Sequence, residues 1–77
     1  MSPTILRTRN LDIRIYPKDH NPPHVHVKGP AAEAKFLLDT LECWSSIGFS
    51  EKALKQIQAF LEIHKDILME AWNEFQK

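Results

Sequence analysis

The chain has 77 residues, with ten basic and ten acidic side chains and so no formal net charge. That is the length of one small domain near the lower limit for a self-supporting core, and a neutral balance excludes attraction to nucleic acid or membrane through bulk charge alone. The single cysteine, Cys43, excludes an internal disulfide.

A lone thiol fits a reducing cytoplasm, and Cys43, between Leu41 and Trp44, is expected to pack as a small apolar residue. No signal-like apolar region opens the chain, and no apolar run approaches the ~18 residues of a membrane span. A soluble cytoplasmic protein without membrane contact is therefore expected. The charge is uneven along the chain: residues 1–28 sum to +3 and the remainder to −3.

Thr4 to Thr8 reads as a strand or an extension of the next one, with Arg9-Asn10 as the bend. Leu11-Asp12-Ile13-Arg14-Ile15-Tyr16 alternates apolar and polar, the period of a half-buried strand, and Pro17 stops it. A loop follows to Pro23, and His24-Val25-His26-Val27-Lys28 alternates again. Gly29-Pro30 signals a turn. Ala32 to Leu38 reads as a further strand, with Ala34, Phe36 and Leu38 on one face. Leu41 to Trp44 is ambiguous between a short strand and a loop.

From Ser50 the period changes. Ser50 is a good N-cap, and Glu51 in the first turn favours the helix dipole. Leu54, Ile57, Phe60, Leu61, His64, Ile67, Leu68, Ala71, Trp72 and Phe75 then recur at spacings of three and four, uninterrupted by Gly or Pro. This predicts one long helix of about 26 residues, about 39 Å, whereas a six-residue strand spans only about 20 Å. Either the helix breaks near His64 or its C-terminal half packs on another chain, and the lack of a turn residue favours the second. Phe60, Ile67, Trp72 and Phe75 would then anchor a homodimer or a small cognate protein. His64, inside the apolar stripe, reads as a packed histidine.

The fold expected is α+β: an antiparallel sheet of three to four strands on one long C-terminal helix, in βββα order. The domain is single and two-layered over 1–77, with the sheet in 1–45 and the helix in 50–76. If Leu11, Ile13, Ile15, Val25, Val27, Ala34 and Phe36 face the helix, period two places Asp12, Arg14, Tyr16, His24, His26, Lys28, Glu33 and Lys35 on the opposite face.

That face carries the reactive chemistry. Three of the four histidines lie within Asp19–Val27, beside Pro22-Pro23. His24 and His26 point the same way, with Cβ atoms about 7 Å apart. The pair can divide a general base and a general acid in metal-free RNA cleavage, with Arg14 and Lys28 on the phosphate and Tyr16 beside them. It can also bind zinc, with His20 or a carboxylate completing the set. Or it can hydrogen-bond loop carbonyls and hold the Pro-Pro turn. The residues favour no metal and imply no cofactor; zinc is the alternative.

The segments His20-Asn21-Pro22-Pro23-His24-Val25-His26-Val27, Ala34-Lys35-Phe36-Leu37-Leu38, Gly48-Phe49-Ser50 and Leu68 through Trp72-Asn73-Glu74 to Phe75 fall in an order that resembles a small bacterial family known as domain of unknown function 4160. The resemblance covers essentially the whole chain. Asn10 stands where the family pattern carries Gly. The resemblance implies a compact protein paired with a second small domain in the manner of toxin–antitoxin modules. It makes this chain a candidate toxin or toxin partner, with RNA as the expected target; the histidine pair, rather than the resemblance, points to a metal-independent ribonuclease. The alternatives are a non-catalytic dimerisation or protein-binding module and a histidine-based metal-binding protein.

Overall fold

The computed structural model describes residues 4–17 and 19–76. Its strands are β1 (Thr4–Arg7), β2 (Asp12–Arg14), β3 (His24–Lys28), β4 (Glu33–Leu37) and β5 (Cys43–Ile47). They form one antiparallel sheet in sequence order, β1-β2-β3-β4-β5, followed by helices α1 (Glu51–Ile63) and α2 (Lys65–Phe75). Short local turns make this meander. Thr8 Oγ1 accepts from the Leu11 N–H at 3.0 Å in the first, and the Gly29 N–H reaches the Ala32 carbonyl at 2.8 Å across Pro30 in another. Proline after the first turn residue pre-sets the backbone for such a bend.

The α+β class holds, with five strands where three to four were expected. The alternation assigned the faces: Ile13, Ile15, Val25, Val27, Ala34 and Phe36 are all buried, joined by Leu38 and Leu41 and by Ile57, Leu61, Leu68 and Trp72 from the helices. Ser50 caps α1 by accepting from the Ala53 N–H at 3.1 Å. Left-handed backbone falls at Gly48 (φ 91°) and at Leu41 (φ 63°), not at Asn10.

The single long helix is corrected. The chain bends at His64 (φ −106°, ψ 16°), whose N–H is shared between the Phe60 and Leu61 carbonyls at 3.3 and 3.1 Å. A straight helix would carry Leu68 and Trp72 past the end of the sheet. Burying such side chains contributes about 1.5–3 kcal/mol each, more than the about 0.5–1.5 kcal/mol of a loosened backbone hydrogen bond. The bend therefore wins without Gly or Pro. The C-terminal half packs on its own sheet: Lys65 Nζ donates to the Asp39 carbonyl at 2.8 Å and Gln76 Nε2 to the Tyr16 carbonyl at 3.3 Å.

Two further expectations change. Trp72 is 3% exposed and belongs to the core, while Phe60 and Phe75 are half-buried and Ile67 is 52% exposed. Cys43 is exposed rather than packed, its Sγ 3.5 Å from the Ser45 carbonyl. No helix among the described residues is long and apolar enough to cross a membrane.

Candidate functional site

The sheet register builds the site. Arg14 on β2 lies beside His26 on β3, His26 beside Lys35 on β4, and Lys35 beside Ser45 on β5. One row of the face opposite the helices thus carries two cations, an imidazole and a hydroxyl. In the next row Asp12, Lys28 and Glu33 are neighbours, with Lys28 Nζ 3.6 Å from the Glu33 carboxylate.

Arg14 is committed within the sheet. Its guanidinium is held by the Tyr16 hydroxyl and by Asp12 Oδ2 at 3.1 Å, and these bonds raise it above its ordinary range. Its Nε is closed off from solvent with no hydrogen-bond partner among the described residues. Asp12 also takes Arg7 Nε at 2.8 Å, and its carboxyl is lowered by Arg14 first and Arg7 second. Arg14 therefore orients Tyr16, whose ring meets the edge of His26 at 4.7 Å between centroids.

His24 and His26 share a face, as the two-residue period requires, with ring centroids 5.0 Å apart. Their environments differ. His24 is 4% exposed, its ring within 5.2 Å of Trp44 and 5.4 Å of Trp72, so the position expected on an open face is covered. Its Nδ1–H donates to the Pro22 carbonyl at 2.8 Å, and its Nε2 lies 3.0 Å from Asp19 Oδ2. The Asn21–Pro22 bond in this loop is cis. His26 keeps 18% of its side chain exposed and places Nε2 3.1 Å from the same Asp19 Oδ2.

Asp19 is the residue that sequence reasoning named only as an unspecified carboxylate. Its Oδ1 accepts from the His20 N–H at 2.8 Å, leaving Oδ2 between the two imidazoles. Burial opposes its ionisation, but the bonds from His26 and the His20 backbone and the nearby imidazoles outweigh it, so the carboxyl stays below its usual range. Burial, set against the Asp19 bond, lowers His26. His20 contributes its backbone N–H; its side chain is not one of the three that converge. Asp19, His24 and His26 place one ligand-type atom each within 4.8 Å of one another.

A groove of about 280 Å³ opens beside the cluster, lined by Tyr16, His26, Lys28, Lys35, Ser45 and Ser46 among others. Trp44 stands at its side. The register between β4 and β5 shifts there, Lys35 facing Ser45 and Phe36 facing Cys43, so Trp44 is the extra residue of a bulge. The bulge leaves Trp44 50% exposed, with Lys35 Nζ 5.9 Å from the ring centroid. Alternation in Cys43-Trp44-Ser45-Ser46-Ile47 is too weak to signal this. Of the expected site residues, His26, Lys28 and Tyr16 line the groove, His24 backs it, and Arg14 stands behind Tyr16.

No curated protein and no solved structure matches the chain. A family model described as a domain of unknown function matches residues 11–73, a span that includes the cluster, the groove and both helices up to Asn73. The chain belongs to the DUF4160 family.

Proposed function

We propose that the chain binds single-stranded RNA across the β3–β5 face and acts on its backbone at His26. The observation that carries this reading is Trp44: a half-exposed indole lifted by a bulge, with a lysine at its ring, beside a groove whose wall is His26 and whose rim includes Lys28 and Lys35. An exposed aromatic accepts a base by stacking while neighbouring cations follow the phosphates, the combination by which proteins hold single strands. Base pairing in a duplex would deny Trp44 its ring. The local cations supply what the neutral whole-chain charge does not.

The division of base and acid between two histidines is not carried forward, because His24 is covered and both its ring nitrogens face acceptors. His26 is the imidazole of the pair that lines the groove in which a phosphate would lie. The test is binding and cleavage of a short labelled RNA, single-stranded and duplex, by the wild-type chain, Trp44→Ala and His26→Ala. Loss of one stacked base weakens single-strand binding by about 1–3 kcal/mol, or about 5- to 150-fold. His26→Ala should bind RNA yet leave it intact. Equal binding by wild type and Trp44→Ala would remove the proposal. In a toxin–antitoxin-like setting, expression of the wild-type chain alone would arrest bacterial growth and expression of His26→Ala would not.

A second reading, a homodimer through the helices, is favoured by Ile63 and Ile67, which stand one turn apart on either side of the bend and are 77% and 52% exposed. Light scattering of the wild type and of Ile63→Asp tests it: a dimer that becomes a monomer supports it, and a wild-type monomer ends it.

A further inference from the structure

We infer that Asp19, His24 and His26 form a binding site for one divalent transition-metal ion, with an open coordination position toward the groove. The inference does not rest on the RNA reading and is tested without RNA.

The argument begins with hydrogen positions. A carbonyl oxygen can only accept, so the 2.8 Å contact with Pro22 fixes a hydrogen on His24 Nδ1. In a neutral imidazole the other nitrogen then carries a lone pair. That lone pair faces a carboxylate oxygen at 3.0 Å, an acceptor facing an acceptor. Something positive must lie between them: a second proton on His24, or a metal ion. A proton on His24 satisfies one pair of atoms. Beside it, His26 Nε2–H donates to the same oxygen at 3.1 Å, so two protons or one metal ion hold the three groups together.

One ion would replace both protons and hold Asp19 Oδ2, His24 Nε2 and His26 Nε2, which lie within 4.8 Å of one another. Donors 2.0–2.2 Å from a metal lie about 3.0 Å apart at adjacent octahedral positions and about 3.4 Å apart in a tetrahedron. The Asp19 contacts, 3.0 and 3.1 Å, fall at the lower end of that range. The surrounding bonds are those that hold ligands in place. The Pro22 carbonyl selects the His24 tautomer whose Nε2 is free to coordinate, and the His20 N–H occupies Asp19 Oδ1 so that Oδ2 turns inward. Partners of this kind orient first-contact ligands in metal proteins. Trp44 and Trp72 pack the His24 ring and fix its plane.

The donor set also selects the ion. Two imidazoles and one carboxylate suit zinc, iron(II), cobalt(II), nickel(II) or manganese(II) over magnesium or calcium, which prefer all-oxygen shells. Three protein ligands leave at least one position vacant, and His26, 18% exposed and lining the groove, puts that position on the accessible side. A purely structural zinc site would be closed by a fourth protein ligand.

The experiment is titration of cobalt(II), then zinc, into untagged protein stripped with chelator. The readouts are the visible absorption of cobalt and the metal-to-protein ratio after gel filtration. One equivalent should bind with an imidazole-type cobalt spectrum, and zinc should displace it. Asp19→Ala and His26→Ala, at partly exposed positions, should each weaken binding by at least ~100-fold, while His64→Ala, outside the cluster, should not. His24→Ala is buried and can unfold the chain, so circular dichroism accompanies every variant. No cobalt band at millimolar metal, or binding unchanged in folded Asp19→Ala and His26→Ala, would overturn the inference. Metal binding with no RNA binding would leave this site standing and remove the RNA reading; the reverse would do the opposite.

Discussion

His24 Nε2 and Asp19 Oδ2 stand 3.0 Å apart although the Pro22 carbonyl already claims the hydrogen on the other nitrogen of His24. A buried imidazole held on both sides by acceptors is a fixed element of the site. It positions Asp19, and through Asp19 it positions His26, the residue that meets the groove.

Trp72 closes the core beneath α2 and touches His24 at 5.4 Å between ring centroids. Trp72→Ala should cost about 3–5 kcal/mol, a large part of the about 5–15 kcal/mol of a typical domain. Urea denaturation of the isolated chain measures it. Unchanged stability would mean that the indole is not a core residue and would reopen its assignment to an interface.

Gly48 joins β5 to the N-cap of α1 at φ 91°, and a Cβ there would lie 2.7 Å from the Ala31 carbonyl oxygen. Alanine meets both a left-handed backbone and a backbone clash. Gly48→Ala should therefore destabilise by more than about 1 kcal/mol, seen as a lower thermal midpoint with an unchanged far-ultraviolet spectrum below it.

The Asp12 carboxylate between Arg7 and Arg14 makes stability depend on acid. Its folded pKa is lowered by Arg14 and then Arg7, so the folded state favours the ionised form. The stabilisation is present above the unfolded value of about 3.9 and is lost as pH falls through the lower folded value. Stability of the wild type relative to Asp12→Asn should be constant near neutrality and should shrink in the window below that unfolded value. Urea midpoints at several acidic pH values read it; a constant difference down to the acid limit would contradict the pairing.

RNA binding through Lys28 and Lys35 should depend modestly on salt. Each phosphate neutralised on a single strand contributes about −0.7 to the slope of log affinity against log salt. Two lysines give about −1.4, and Lys35→Ala should reduce the slope to about −0.7. A slope unaffected by Lys35→Ala would place the phosphates elsewhere.

The elements that follow a simple period were legible from sequence. Period two in Leu11–Tyr16 and His24–Lys28 assigned their faces, because one residue of slip would have turned Ile13, Ile15, Val25 and Val27 to solvent. The helix bend was not legible: nothing in Ile63-His64-Lys65 breaks a helix locally, and the bend follows from the size of the sheet that Leu68 and Trp72 must cover. Asp19 was not singled out as the carboxylate beside His24 and His26 because it sits in a loop, where spacing does not reveal reach. Trp44 was missed because a bulge, unlike a pleat, leaves no period. The paired histidines were the visible part of the site, while the groove beside them depends on residues of β4 and β5 distant in sequence.

The most direct measurement is anomalous diffraction at the zinc edge from crystals of the untagged chain grown with one equivalent of zinc. One peak about 2.0–2.2 Å from Asp19 Oδ2, His24 Nε2 and His26 Nε2 is predicted. Ordered electron density for the three side chains with no anomalous peak among them would contradict the account.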